Sequence, residues 1–261
     1  MRSIPPTAPD VRPARHAARW LWPLAGLLSL LLGWLLLGQD TFPGPAATLA
    51  YAARESARGT LWGHVGITLW RVLLSFVLAL LLGVPLGLAL GRSRALAGFL
   101  APWLAAMLSV PRILVLLAAY LLVGLNERAL VGAITLILLP GVAVQVREGV
   151  RGLDPRLYGM ARAFGLGRAA TLRAVTWPQL TPTLLGTARL TLSLAWKMVV
   201  FGEVFGRTSG VGYMLAFAFQ QFEMRALLAY GLVMTVILGA ADAALGALGA
   251  RSAAWRAGGT P

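Results

Sequence analysis

ITLWRVLLSFVLALLLGVPLGLAL, residues Ile67 to Leu90, carries a single ionisable side chain, Arg71, in 24 positions. A helix needs roughly 20 mostly apolar residues to cross the hydrocarbon core of a bilayer. This stretch is long and apolar enough to do so. Arg71 lies near one end, where it is expected to anchor the helix at an interface. Gly83, Gly87 and Gly91 recur every fourth residue and share one helix face, which lets a second backbone approach closely. Pro85 stands among them and can kink the helix. A helix with such a face belongs in a bundle rather than alone.

Five further segments have the same character. They are Trp20 to Gly38, Phe99 to Leu122 with Pro111 and Arg112 inside it, Leu130 to Val146, Leu184 to Phe205 and Ala226 to Leu248. Only Val123 to Ala129 separates the third span from the fourth. The first has a basic front end, but its apolar stretch exceeds the 7–15 residues usual in a signal peptide. It is expected to be a retained helix. The sequence therefore predicts an all-α, polytopic membrane helix bundle with about six transmembrane helices. It divides into a tail at residues 1–19, one transmembrane domain at 20–250 and a second tail at 251–261.

Composition agrees. Hydrophobic residues make up 58% of the 261, charged residues 12%, and the mean hydropathy is +0.76. Soluble domains are about half apolar and about a quarter charged. A formal charge of +14 would suggest nucleic acid in a soluble protein. Here the cations are almost all Arg placed between apolar runs, so no nucleic-acid partner is expected. With both termini in the cytoplasm, fifteen of the 23 cations fall inside, five outside and three (Arg71, Arg112 and Lys197) within spans. That bias supports an even number of spans with both ends in the cytoplasm. The absence of Cys excludes disulfides and thiol chemistry. His16 and His64, the only two histidines, read as solvated side chains rather than a metal site. No catalytic group, cofactor or metal is expected.

Arg147 to Thr183 is too polar to span and too patterned to be a slack linker. Pro155 can open a helix, Leu157 to Ala163 can continue it, and Gly165 and Gly167 break it. Ala169 to Val175 can form a second short helix, which Trp177-Pro178 is expected to end. Two short helices under the membrane would suit contact with a cytoplasmic partner, or with lipid headgroups.

This segment resembles the cytoplasmic motif of ABC-importer permeases: E-A-A, three residues, Gly, nine residues, Ile, one residue, Leu-Pro. Gly165 holds the Gly position, Val175 the Ile, and Trp177-Pro178 the Leu-Pro, while Ala161 ends a triplet whose first two places are Gly159 and Met160. The motif Glu is thus absent. Other pieces resemble the nitrate, sulfonate and taurine branch in the same order. They are Phe42-Pro43-Gly44-Pro45, Thr68-Leu69-Trp70-Arg71, Ala195-Trp196, Gly202-Glu203 and Gly210-Val211-Gly212-Tyr213. Gly124-Leu125-Asn126 stands where the branch has Gly-x-Gly.

The resemblance implies a permease subunit of an ATP-driven importer, not an enzyme, for a small and anionic solute. It implies a pair of cytoplasmic ATPase subunits, an extracytoplasmic binding protein and a second permease copy as partners. Gly159, Met160, Ala161, Gly165, Val175, Trp177 and Pro178 would form the ATPase-coupling element. Ionisable residues within spans are functional candidates because burying them is costly. They are Lys197, Glu203, Arg112 and Asp242, with Lys197 or Arg112 suited to an anion. Lys197 could instead snorkel or pair with Glu203 or Asp242, and Arg112 could lie in a re-entrant loop. The alternative is a stand-alone secondary transporter or channel, but no internal repeat is evident. A membrane-embedded enzyme would need a cluster of His, Asp or Glu, and the nine acidic residues are scattered.

Overall fold

The computed structural model describes residues 18–38 and 42–257, and side chains are described from Trp22 to Ala247 apart from Pro23 and 39–41. The tail before residue 18, with His16, and residues 258–261 lie outside the described residues. The helices are α1 (Ala18–Leu37), α2 (Pro45–Ala57), α3 (Thr60–Arg92), α4 (Arg94–Ser109), α5 (Arg112–Val123) and α6 (Glu127–Arg151). They continue as α7 (Pro155–Ala163), α8 (Arg168–Thr171), α9 (Trp177–Gly206), α10 (Val211–Gln220) and α11 (Met224–Ala257).

The glycine face of α3 is the backbone of the packing. A Cβ added at Gly83, Gly87 or Gly91 would collide with Val142, Val146 or Val150 of α6 respectively. Each step of four along α3 is matched by a step of four in the same direction along α6. The two helices are therefore parallel and in close contact. Running the other way, α9 meets α6 at Gly149 against Thr183 near one end and Leu130 against Gly202 near the other. The α11 helix is antiparallel to α9 in turn, with Asp242 beside Arg189 and Tyr230 and Met234 in the cluster that contains Trp196.

Because α3 and α6 are parallel, the chain between them must return across the whole bundle. It does so in two legs, α4 and α5, that meet at an angle of 91°. Pro111 forces Val110 into an extended conformation (ψ 129°) and stops α4 there. At 1.5 Å per residue the legs are about 24 and 18 Å long, and at right angles they carry the chain about 30 Å, one hydrocarbon thickness. The third span expected from Phe99 to Leu122, with Pro111 and Arg112 inside it, is thus a broken one. The turn that follows is tight: Gly124 adopts φ +93°, and Asn126 caps α6 by accepting from Ala129 N–H.

Among the described residues, four helices are long and apolar enough to cross a membrane alone: α3, α6, the run ending in α9, and α11. The α4–α5 pair makes a fifth span, and α1 adds a further apolar helix over Leu24–Leu37. Large exposed side chains such as Trp70, Leu81, Phe99, Trp103 and Leu121 ring the bundle. A water-soluble protein rarely exposes so much apolar surface, whereas lipid accommodates it.

The second short helix expected to stop at Trp177-Pro178 does not stop. Arg168 to Gly206 is one helical run that passes through a π-turn at Leu172–Thr176. The wider i→i+5 turn places Pro178 in the first turn of α9, where its missing N–H and fixed φ are tolerated.

Candidate functional site

At the end of the bundle away from α7, four ionisable side chains come together. Arg71 is 1% exposed and Glu203 0%, and Arg71 Nη1 donates to Glu203 Oε1 at 2.7 Å. The other edge of the same guanidinium makes a bidentate pair with Glu127, at 2.9 and 2.5 Å. Arg71 also donates to the Ser209 carbonyl at 2.7 Å. Arg207 donates to Glu127 at 2.6 Å and to the Leu125 carbonyl at 2.8 Å. Arg71 and Glu203 are a buried, matched pair, as burial in low dielectric requires, while Glu127 is half exposed. The Arg71 side chain, expected at an interface, is the largest fully buried side chain described.

Glu203 lies in the last turn of α9, where the helix dipole disfavours an anion. The start of α10 reverses that effect. Gly212 N–H donates to Glu203 Oε2 at 2.8 Å, and Thr68 Oγ1 donates to the carboxylate at 2.9 Å while accepting from Val211 N–H. The carboxylate therefore caps the positive end of α10. Gly210 has φ +105°, and a Cβ there would fall on the Glu203 carboxylate. Gly210 N–H donates to His64 Nδ1 at 3.1 Å, so His64 is a partnered side chain rather than a solvated one. The separate motif pieces at Thr68–Arg71, Gly202–Glu203 and Gly210–Gly212 are one cluster in space. Glu203, expected on the substrate pathway, is enclosed and fully engaged. Asp242 is held by Arg189 at 2.6 and 2.5 Å. Neither acid pairs with Lys197.

Lys197 is exposed, one turn from Leu194 on the same face of α9. Leu194 in turn lines a cavity of about 320 Å³ with Trp103, Met107, Leu138 and Gly141. Among the described residues, Arg112, at the α4–α5 break, is the only ionisable group in that wall.

The opposite end carries α7. Asp154 caps it by accepting from Arg156 N–H at 2.8 Å, and Pro155 takes the first turn. It ends in a Schellman closure: Leu166 N–H donates to the Ala161 carbonyl and Gly165 N–H to that of Arg162, with Gly165 at φ +68°. Ala161 is buried, and Tyr158 bonds Thr176 at 2.8 Å, which fixes α7 against the π-turn. The rest faces outward: Gly159, Met160 (55% exposed), Phe164 (79%) and Trp177 (56%), with Val175 and Pro178 half-buried. Arg156, Arg162, Arg168 and Arg173 stand between and beside these residues in the sequence, all exposed.

Residues 79–253 match the family described as binding-protein-dependent transport system inner membrane component. The chain belongs to that family. An aliphatic sulfonates transport permease protein, SsuC, of Escherichia coli (strain K12) is 28% identical to this permease over 228 residues, 86% of each chain. An ABC transporter permease protein of Brucella melitensis is 30% identical over 220 residues, 80% of this chain and 89% of that one. The taurine transport system permease protein TauC of E. coli is 27% identical over 256 residues, 91% of this chain and 93% of that one. The inward-facing MetNI methionine ABC transporter shares the fold, with a TM-score of 0.62 at 18% identity over 71% of this chain and 92% of that chain. The permease is therefore a multi-pass membrane subunit of an ATP-driven importer, with ATP hydrolysis on a partner ATPase and solute supplied by a binding protein. The stand-alone transporter reading is set aside.

Proposed function

We propose that this permease conducts a small organic anion of the sulfonate or taurine kind, as a homodimer with both termini in the cytoplasm and α1 as a sixth span. The relatives named for sulfonate and taurine transport support the solute class. The Arg112 cavity supports it chemically, since its wall offers an apolar body one guanidinium and no acid. Arg112 and Lys197 serve as pathway contacts. Glu203 and Asp242 serve as structural anchors of α10 and α11. The tails at 1–19 and 251–261 flank a single transmembrane domain.

The observation that carries the coupling role is the outward face of α7. Met160 on α7, Phe164 at its C-cap and Trp177 at the start of α9 are exposed, and α7 itself is capped at both ends with its inner face fixed. An exposed apolar surface on a segment rich in arginine suits insertion into a groove on the ATPase, centred on Phe164. Co-expression with the ATPase and a pull-down tests this. Wild type should retain the ATPase, and Phe164→Asp should lose at least about 90% of it, the equivalent of roughly 1.4 kcal/mol. Equal retention by a variant that still inserts in the membrane would refute the docking role.

A further inference from the structure

Two cavities follow one another along the seam between α6 and α9. The first is the apolar cavity with Arg112, bounded by Leu138 and Gly141 on α6 and Leu194 on α9. The second, of about 640 Å³, begins roughly one turn closer to α7, at Val144 on α6 and Leu190 on α9. Its wall includes Gln145, Gln179, Thr183 and Thr187, and no cation. Glu148 stands in the wall too, and it is paired with Arg147 and Arg151.

Two polar atoms here have no hydrogen-bond partner among the described residues: Thr187 Oγ1 and Gln179 Nε2, both buried. Thr187 is 2% exposed. Buried polar atoms without partners are rare and call for an explanation. Both can donate, and both residues belong to one cavity wall with these two atoms covered beneath its surface; the Thr183 hydroxyl and Gln145 amide add further donors. A solute with oxygen acceptors would satisfy them.

We propose that this second cavity is a release site, where uncharged donors led by Thr187 Oγ1 and Gln179 Nε2 hold the oxyanion group of the transported solute. The proposal rests on the importer reading above. A fixed cation at this point would retain an anion, whereas neutral donors bind it weakly enough to let it leave. The solute thus passes from one guanidinium to a set of hydroxyls and amides. Gln179 also ties the site to the coupling segment. Its Oε1 accepts from the backbone N–H of Asp154, the cap of α7, at 2.8 Å. A shift of α7 on the ATPase therefore moves an amide in the wall of this cavity.

The test uses the complete importer and radiolabelled ethanesulfonate. ATP-driven uptake into proteoliposomes reads the importer assignment. Equilibrium binding to the nucleotide-free, detergent-solubilised complex reads the release site. Thr187→Val keeps the shape and removes a hydroxyl that bonds nothing in the fold. Gln179→Glu keeps the acceptor for Asp154 N–H and replaces the Nε2 donor with a carboxylate oxygen. Wild type should transport and bind saturably. Both variants should melt at the wild-type temperature and retain the ATPase, and both should bind about tenfold more weakly. Binding at wild-type strength in either variant overturns the proposal, and so does uptake by wild type without saturable binding. Absence of both uptake and binding in wild type removes the sulfonate assignment and the release site together.

Discussion

Arg71 shows how much one side chain can hold. It joins α3 to the end of α9 through Glu203, to the start of α6 through Glu127 and to the α9–α10 connection through Ser209. Removing one partner of a buried ion pair costs about 3–5 kcal/mol, because the other charge is left uncompensated. Arg71→Leu should therefore lower the thermal stability of the purified permease strongly. Glu203→Gln keeps the size of the side chain and some of its hydrogen bonds, so its effect should be smaller. A melting temperature unchanged by Arg71→Leu would show that the network contributes nothing. Gly165 makes a different argument, since a Cβ there meets nothing within 4 Å. Only its φ of +68° demands glycine. Asn enters that region more readily than a β-branched residue. Gly165→Asn should keep most of the ATPase in a pull-down, while Gly165→Val should lose most of it. Equal behaviour of the two would mean that the turn geometry does not matter.

At the scale of elements, the sequence was informative wherever the signal was local. The glycine stripe of α3, the Pro155 opening and Gly165 break of α7 and the apolar lengths of α6 and α9 are periodic or positional patterns, and each corresponds to what the structure contains. Three features were not legible for a common reason. Arg71 looked like a helix-end anchor because Glu203 lies 132 residues away in the chain. Lys197 and Glu203 looked like possible partners because they are close in sequence, yet Glu203 turns to α3 and α10. Trp177-Pro178 looked like a helix end because the residue before proline usually leaves the helical region. A π-turn just before it removed the conflict. The broken α4–α5 span was half legible: Pro111 was visible, but the bend follows from α3 and α6 being parallel.

For the whole molecule, function rests on two ends joined by long helices. One end is the charge network around Arg71, and the other carries α7, the proposed docking helix. Between them α6 and α9 frame the two cavities. The orientation follows from placing the docking helix in the cytoplasm, and the native chain has no cysteine to interfere with labelling. A single cysteine at exposed Phe222, in the α10–α11 turn, should react with a membrane-impermeant maleimide added to spheroplasts. One at Phe164 should react only after permeabilisation. The opposite pattern would invert the molecule and remove the coupling role from α7.

The most direct test of the importer account is ATP hydrolysis by the reconstituted complex as solute-loaded binding protein is added. Wild type should show hydrolysis stimulated several-fold by the loaded binding protein, and Phe164→Asp should abolish that stimulation while the permease remains folded in the membrane. Stimulation of equal size in the variant, or none in wild type with every binding protein tested, would contradict the account.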